Sequence, residues 1–150
     1  MGQSFSYILL HLVISTRERT KAIDDSIKLK LYKYFVEASA CLNCQILEVG
    51  GMEDHVHVML LLDRGITMTQ YINEIKSVTT RWIKSLGERY SNFAWQHGYG
   101  VFSVSQFNTP GLRAYIRNQR EYHRHMDFKE EMRNIYRAYD LAIDERYVWD

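Results

Sequence analysis

The sequence predicts an α+β fold of the ferredoxin-like kind, β-α-β-β-α-β, with helices added towards the C-terminus. Three observations lead there. Four short segments are apolar enough for strands, and two stretches among them repeat apolar residues at helical spacing. The intervals are short turns, with a single proline and no Pro/Gly/Ser-rich linker in 150 residues. One domain is the expectation from that length, and 46% hydrophobic residues can supply a core. With helices on one face of an antiparallel sheet, the other face is expected to stay free for a ligand.

The elements follow in order. "FSYILLHLVIST" suits a buried first strand over residues 5–15. Asp24 is a candidate N-cap for a helix carrying Ile27, Leu31, Phe35, Ala38 and Leu42 and ending near Asn43. "QILEVG" reads as the second strand, "GMED" as a turn and "HVHVMLLL" as the third strand. Thr67 and Gln70 form a capping-box pattern, in which hydroxyl and amide satisfy each other's backbone N–H groups. The helix they start puts Met68, Tyr71, Ile72, Ile75, Val78, Trp82, Ile83 and Leu86 on one face. Asn73, Lys76, Ser77, Thr80, Arg81 and Lys84 fall on the other. "GYGVFSVSQ" gives the fourth strand. Thr109 is then expected to cap a helix with Pro110 in its first position, running to about Met126. A last helix starts at Asp127, with Glu130 completing a capping-box-like pair.

Composition bounds the function. Lysine and arginine total 19 against 18 acids, so no global attraction draws the chain to a polyanion and any such site must be a local patch. The 11 tyrosines would suit stacking on bases or a tyrosine-rich core. "MGQSFSYILLHLVIST" lacks a basic leader and cleavage site, and no apolar run approaches the roughly 20 residues that span a bilayer. A cytoplasmic protein is the expectation, with Cys41 and Cys44 as reduced thiols.

Two places carry candidate chemistry. In "DHVHVML", alternation along a strand points His55 and His57 to one face and Val56 and Val58 to the other. That is a natural bidentate metal pair, or two half-exposed histidines beside a core. Cys41 and Cys44 could complete a Cys2His2 set, but the one-residue gap between the histidines does not fit a zinc finger. In "LRAYIRNQREYHRHM", Tyr115 and Gln119 share a helical face with Leu112, Ile116 and His123. Arg113, Arg117, Arg120 and Arg124 fall on the opposite side, as a solvated face or a distant contact.

Together, "DHVHVML", "WQHGYGVFSVS", "YIRNQREYH" and "DERYVWD" resemble the single-tyrosine HUH transposases of bacterial insertion sequences and their relatives associated with repetitive extragenic palindromes. The similarity runs through nearly the whole chain. It implies that His55 and His57 are the metal-binding histidines, Val56 the hydrophobe between them, Gln119 the residue completing the metal site and Tyr115 the nucleophile. Glu53 departs from the proline that many relatives carry before the Asp-His pair, which puts the turn, but no ligand, in doubt.

The implied activity is cleavage and rejoining of single-stranded DNA by metal-dependent transesterification through a 5′-phosphotyrosine. Two imidazoles and an amide oxygen suit Mg²⁺ or Mn²⁺, with the histidines favouring manganese. DNA with hairpin ends is the implied substrate. The implied assembly is a homodimer in which one subunit's tyrosine helix can complete its partner's histidine pair. Lys76, Ser77, Thr80, Arg81 and Lys84 are candidate contacts to the DNA backbone. Alternatives are a noncatalytic nucleic-acid-binding module of the same fold, a replication- or transfer-initiating HUH nuclease, and a structural zinc protein. The sequence names no base for Tyr115.

Overall fold

The protein, described over residues 2–150 by a computed structural model, builds one antiparallel sheet in the order β2-β3-β1-β4. Its strands are β1 (Leu9–Ser15), β2 (Gln45–Met52), β3 (His55–Leu61) and β4 (Gly100–Ser103). The helices are α1 (Lys28–Cys41), α2 (Met68–Ser85), α3 (Thr109–Arg117), α4 (Gln119–Tyr122) and α5 (Phe128–Ala138). The element order is the one expected, with the C-terminal helices carrying Tyr115. No helix among the described residues is long and apolar enough to cross a membrane.

Register decides what each face of the sheet displays. Ile14 pairs with Val56, Leu12 with Val58 and Leu10 with Leu60, so these six side chains share a face and form the main core with α1 and α2. The intervening pairs, Val13 with His57 and His11 with Met59, point the other way. That second face is not left open. α3, α4 and α5 cover it, because Leu9, Val13, Met59 and Phe102 there are apolar and pack against Ile116, Phe128 and Met132.

Several boundaries differ from the expectation for local reasons. β1 begins at Leu9 rather than residue 5: the paired residues of β3 and β4 end at Leu61 and Ser103, leaving Phe5 and Tyr7 no neighbouring strand and exposed. Asp24 does not cap α1. Its carboxylate is occupied by Ser26, by the Tyr90 hydroxyl at 2.8 Å and by Arg89 at 3.1 Å, and the helix starts four residues later. β2 and β3 form a hairpin with Met52 opposite His55, so Glu53 and Asp54 close the turn without proline.

The α2 capping box is present in both directions. Its buried stripe includes Thr79, whose hydroxyl donates to the Ile75 carbonyl at 2.6 Å and accepts from Trp95 Nε1 at 2.9 Å. Leu86, expected on that stripe, is exposed beyond the last turn.

The expected helix over 109–126 is two helices with a break at Asn118. Thr109 does not cap it either. A tight turn over residues 106–108, held by the Ser105 hydroxyl accepting from the Phe107 N–H at 3.3 Å, leads into α3, and Thr109 Oγ1 is buried without a partner. Asp127 caps α5 by accepting from the Glu130 N–H at 2.8 Å. The Glu130 carboxylate turns instead to Arg133 and Arg137, so the reciprocal half of that pair is missing.

Gly50 is what lets α3 lie directly on the sheet. A Cβ there would stand 2.6 Å from the Ile116 carbonyl oxygen, a backbone atom one residue from Tyr115. Gly50→Ala should therefore lower stability by about 1–3 kcal/mol through overpacking, read as a reduced Tm. An unchanged Tm would mean that α3 is not seated on β2 as described.

Candidate functional site

The site is assembled on the second face of the sheet from β1, β3 and the three C-terminal helices. Strand alternation sends His55 and His57 to this face, and both are completely buried rather than half-exposed. The Phe128 ring lies parallel to His55 at 4.6 Å between centroids, and Tyr115 stands edge-on to His57 at 5.4 Å.

The residue at the centre is one the sequence reading did not single out. Glu131 of α5 is fully buried. Its Oε1 lies 3.3 Å from His57 Nε2, 3.5 Å from His55 Nε2 and 3.1 Å from His123 Nε2. Its Oε2 accepts from the Tyr115 hydroxyl in a short contact and from Gln119 Nε2 at 3.0 Å. Gln119 Oε1 in turn lies 3.0 Å from His55 Nε2. His55, His57, Tyr115 and Gln119 thus converge around one carboxylate within a single chain.

A helical stripe could have revealed Glu131. Phe128, Met132 and Ile135 pack at i, i+4 and i+7, and position 131 lies on the same face. A carboxylate in such a place must be compensated by partners inside the protein. His123 falls on the Tyr115 face in the sequence, where its spacing gives it no role. His11 carried no signal, because only the pairing of β1 with β3 brings it beside His57.

The outer partners orient the imidazoles. Asp54 Oδ1 lies 2.8 Å from His55 Nδ1, and a carboxylate that only accepts puts the proton on Nδ1 and the lone pair on Nε2. His57 Nδ1 lies 2.8 Å from His11 Nε2, so His57 can carry its proton on that side and present Nε2 as a lone pair as well. With these tautomers, His55 Nε2, His57 Nε2, Gln119 Oε1 and Glu131 Oε1 all face one another as acceptors.

A divalent cation among them would satisfy that arrangement. His55, His57 and Glu131 offer ligand atoms within 4.8 Å of one another, and their closer separations match adjacent ligands at bonds of about 2.1 Å. These residues could hold a metal, and Gln119 could add its amide oxygen. The Cys2His2 alternative fails: Cys44 is buried in the core on the opposite side of the sheet, with Sγ accepting from the Asp63 N–H, and Cys41 is exposed.

Burial and charge tune the site. Without a cation, His57 can instead carry its proton on Nε2, with Nδ1 accepting from His11; burial then opposes ionisation of Glu131, but hydrogen bonds to His123 and His57, with the charges around it, hold its carboxyl far below the usual range. Burial, then the Glu131 charge and hydrogen bond, push the Tyr115 phenol well above its ordinary value. His11 is lowered to about 3, by burial first and the neighbouring His57 second, and so stays neutral beside it.

The other predicted residues lie elsewhere. Ser77, Thr80, Arg81 and Lys84 line an open groove of about 650 Å³ between α2 and the segment Ser91–His97, with Arg17 on its rim. Lys76 also lines it, but its ammonium donates to the carbonyls of Gln96, His97 and Gly98 at 2.8–3.0 Å. All three of its donors hold that loop, so it contributes charge to the groove but no free hydrogen bond. Of the arginine stripe, Arg117 pairs with Glu48, Arg120 with Asp25 and Arg124 with Glu121, all with exposed guanidinium groups. A salt-bridged, solvated face accounts for these three.

His11→Leu removes the acceptor on His57 Nδ1 while keeping an apolar side chain in the sheet. It should weaken Mn²⁺ binding about 10–100-fold by isothermal titration, the usual cost of losing a ligand's outer partner. Unaltered affinity would show that His57 does not depend on His11 for its tautomer.

Comparison with known proteins agrees with this architecture. The family described as "Transposase IS200 like" matches residues 4–119, which include His55, His57, Tyr115 and Gln119 and stop short of Glu131. No curated protein matches the chain. Among solved structures, a candidate transposase from Deinococcus radiodurans R1 aligns with a TM-score of 0.62 at 20% identity, over 79% of this chain and 96% of the other. A REP-associated tyrosine transposase bound to a REP hairpin aligns with a TM-score of 0.60 at 16% identity, over 82% of this chain and 74% of that one. These likenesses show a shared fold, and the family match over most of the sequence shows more: the chain belongs to the IS200-like transposase family.

Proposed function

We propose that this transposase cleaves and rejoins single-stranded DNA, with Tyr115 as the nucleophile and His55, His57, Glu131 and Gln119 as a divalent-metal site. The observation that carries this reading is the Tyr115 hydroxyl hydrogen-bonded to the same buried carboxylate that faces both histidines. Mg²⁺ or Mn²⁺ in that site would offset the Glu131 charge and polarise a phosphate oxygen, lowering the barrier to attack on an anionic diester.

The two oxygens of Glu131 have different neighbours, which supports separate roles for them. Oε1 faces the imidazoles and belongs to the metal site; Oε2 holds the phenol proton. In the reaction Oε2 takes that proton as the phenolate attacks phosphorus, the P–O3′ bond breaks, and the proton passes to the leaving 3′-oxygen. The products are a 5′-phosphotyrosine and a free 3′-hydroxyl. Attack by another 3′-hydroxyl reverses the sequence, rejoins the DNA and returns the proton to Tyr115. The bond energy is conserved in the phosphotyrosine, so no nucleotide triphosphate is consumed.

The REP-associated relative is bound to a REP hairpin, which supports DNA with hairpin ends as the ligand class here. Arg81, Lys84, Ser77 and Thr80 line a groove suited to a phosphate backbone, with Arg17 and the Lys76 charge adding to its potential. A homodimer fits the resemblance, and the convergence of Tyr115, His55, His57 and Glu131 in one chain supports a site closed within one subunit.

Incubation with labelled single-stranded oligonucleotides bearing hairpins, followed by denaturing electrophoresis, tests the chemistry. A covalent adduct should form with Mn²⁺, vanish with EDTA and be absent from Tyr115→Phe. Glu131→Gln should slow its formation at least about 100-fold, as expected when a group that takes up the transferred proton is lost. An adduct that survives in Tyr115→Phe would overturn the assignment.

Mixing His57→Ala with Tyr115→Phe distinguishes the two ways of closing the site. The within-chain geometry predicts an inactive mixture. Restored cleavage would show that subunits exchange their tyrosine helices.

A further inference from the structure

Tyr115 also forms part of the wall of a second, open cleft on the side away from Tyr122. The cleft encloses about 570 Å³, and His11, Val104, Leu112, Phe107 and Tyr139 line it with Tyr115. We propose that this cleft binds an unpaired base of the nucleotide next to the phosphate attacked by Tyr115, with Phe107 and Tyr139 as its stacking platforms. The inference rests on the reading of Tyr115 as the nucleophile and names where that substrate's neighbouring base goes.

Five observations support it. Phe107 is 84% exposed, a large apolar ring held out from a tight turn that Ser105 pins through its hydroxyl and carbonyl. A ring so presented gains nothing from the core, whereas base stacking would bury it. Tyr139 is 43% exposed, yet it is anchored by its hydroxyl donating to the Ser103 carbonyl at 2.7 Å and by its ring against Phe102 at 4.9 Å. The Tyr139 ring is therefore positioned before any ligand arrives and Phe107 is carried on a pinned turn, which reduces the entropy lost on binding.

Charge selects this cleft over the one on the opposite side of Tyr115. No carboxylate lines it, while Glu121 lines the other, so a polyanionic strand meets less repulsion here. Asn108 on its rim offers both a donor and an acceptor to a base edge. Continuity gives the last argument. The cleft is lined by Tyr115, whose hydroxyl bonds Glu131, so a strand whose phosphate reaches the phenol must place a flanking nucleotide beside that ring. Stacking favours bases without demanding a particular one.

The test is a thermodynamic cycle on adduct formation. The probe is a hairpin oligonucleotide with a single-stranded flank that wild-type protein converts to the Tyr115 adduct with Mn²⁺. Phe107→Ala, exposed enough to leave folding intact, should raise the half-saturating DNA concentration about 5- to 100-fold, the range for losing one base–aromatic stack. One abasic position beside the cleaved bond should cause a similar loss in wild type and little further loss in Phe107→Ala, and Phe107→Trp should restore affinity. The bare hairpin, lacking the flank, should bind wild type and Phe107→Ala equally.

Additive penalties at every abasic position, or an unchanged half-saturating concentration, would overturn the base-binding cleft while leaving Tyr115 as the nucleophile. Dimer loss in Phe107→Ala with unaltered DNA affinity would assign the cleft to a second copy of the chain instead. Failure of wild type to form any Tyr115 adduct would overturn both the cleft and the reading on which it rests.

Discussion

A single buried carboxylate organises the site. An ionised Glu131 without partners would be prohibitively costly in the interior, and the fold meets that cost with hydrogen-bonding groups from four different elements or turns. His57 comes from β3, Tyr115 from α3, Gln119 from α4 and His123 from the turn that follows. The break at Asn118 is part of the same solution, since immediately beyond it Gln119 donates to Glu131 and brings its amide oxygen to within 3.0 Å of His55 Nε2. The residues that compensate the charge in the free protein are those suited to share a metal, so the same arrangement serves stability and chemistry.

The sheet separates these demands by face. Val56, Val58 and Leu60 alternate with His55, His57 and Met59, so every step along β3 contributes once to the α1/α2 core and once to the site. β3 and β1 occupy the middle of the sheet, where flanking strands restrain them on both sides. A histidine pair carried there has little freedom, and Asp54 and His11 remove much of the remaining rotational ambiguity. Gly50 then sets the height of α3 above the sheet, which positions the phenol relative to that pair. Precision comes from packed backbone rather than from a flexible loop.

Placing the tyrosine within a closed network has a consequence for reactivity. With Glu131 charged and close, phenolate is disfavoured, and Tyr115 is held in its protonated form. A cation beside the carboxylate would offset that bias by drawing the Glu131 charge away from the phenol. The surfaces around it differ in character. The α2 groove presents Arg81 and Lys84 at some distance from the chemistry, and the cleft beside Tyr115 presents aromatic rings next to it.

Local rules determined much of this protein. Alternation in "DHVHVML" placed both histidines on one face, the Thr67–Gln70 pair marked the start of α2, and the order of apolar segments specified the sheet. Those features depend on neighbours a few residues apart, which is the range over which pleat, helical period and capping act. Tertiary structure alone decided the rest. Asp24 lost its capping role to contacts with Tyr90, 66 residues away, and Thr109 lost its role to the turn before it. Lys76 was spent on the carbonyls of a distant loop, and the face expected to be free was covered by α3, α4 and α5. His11 and Glu131 reached the histidines only because strand pairing and helix docking bring together residues separated by 46 and 74 positions. No spacing rule spans such intervals, since what fixes them is the packing of the whole chain.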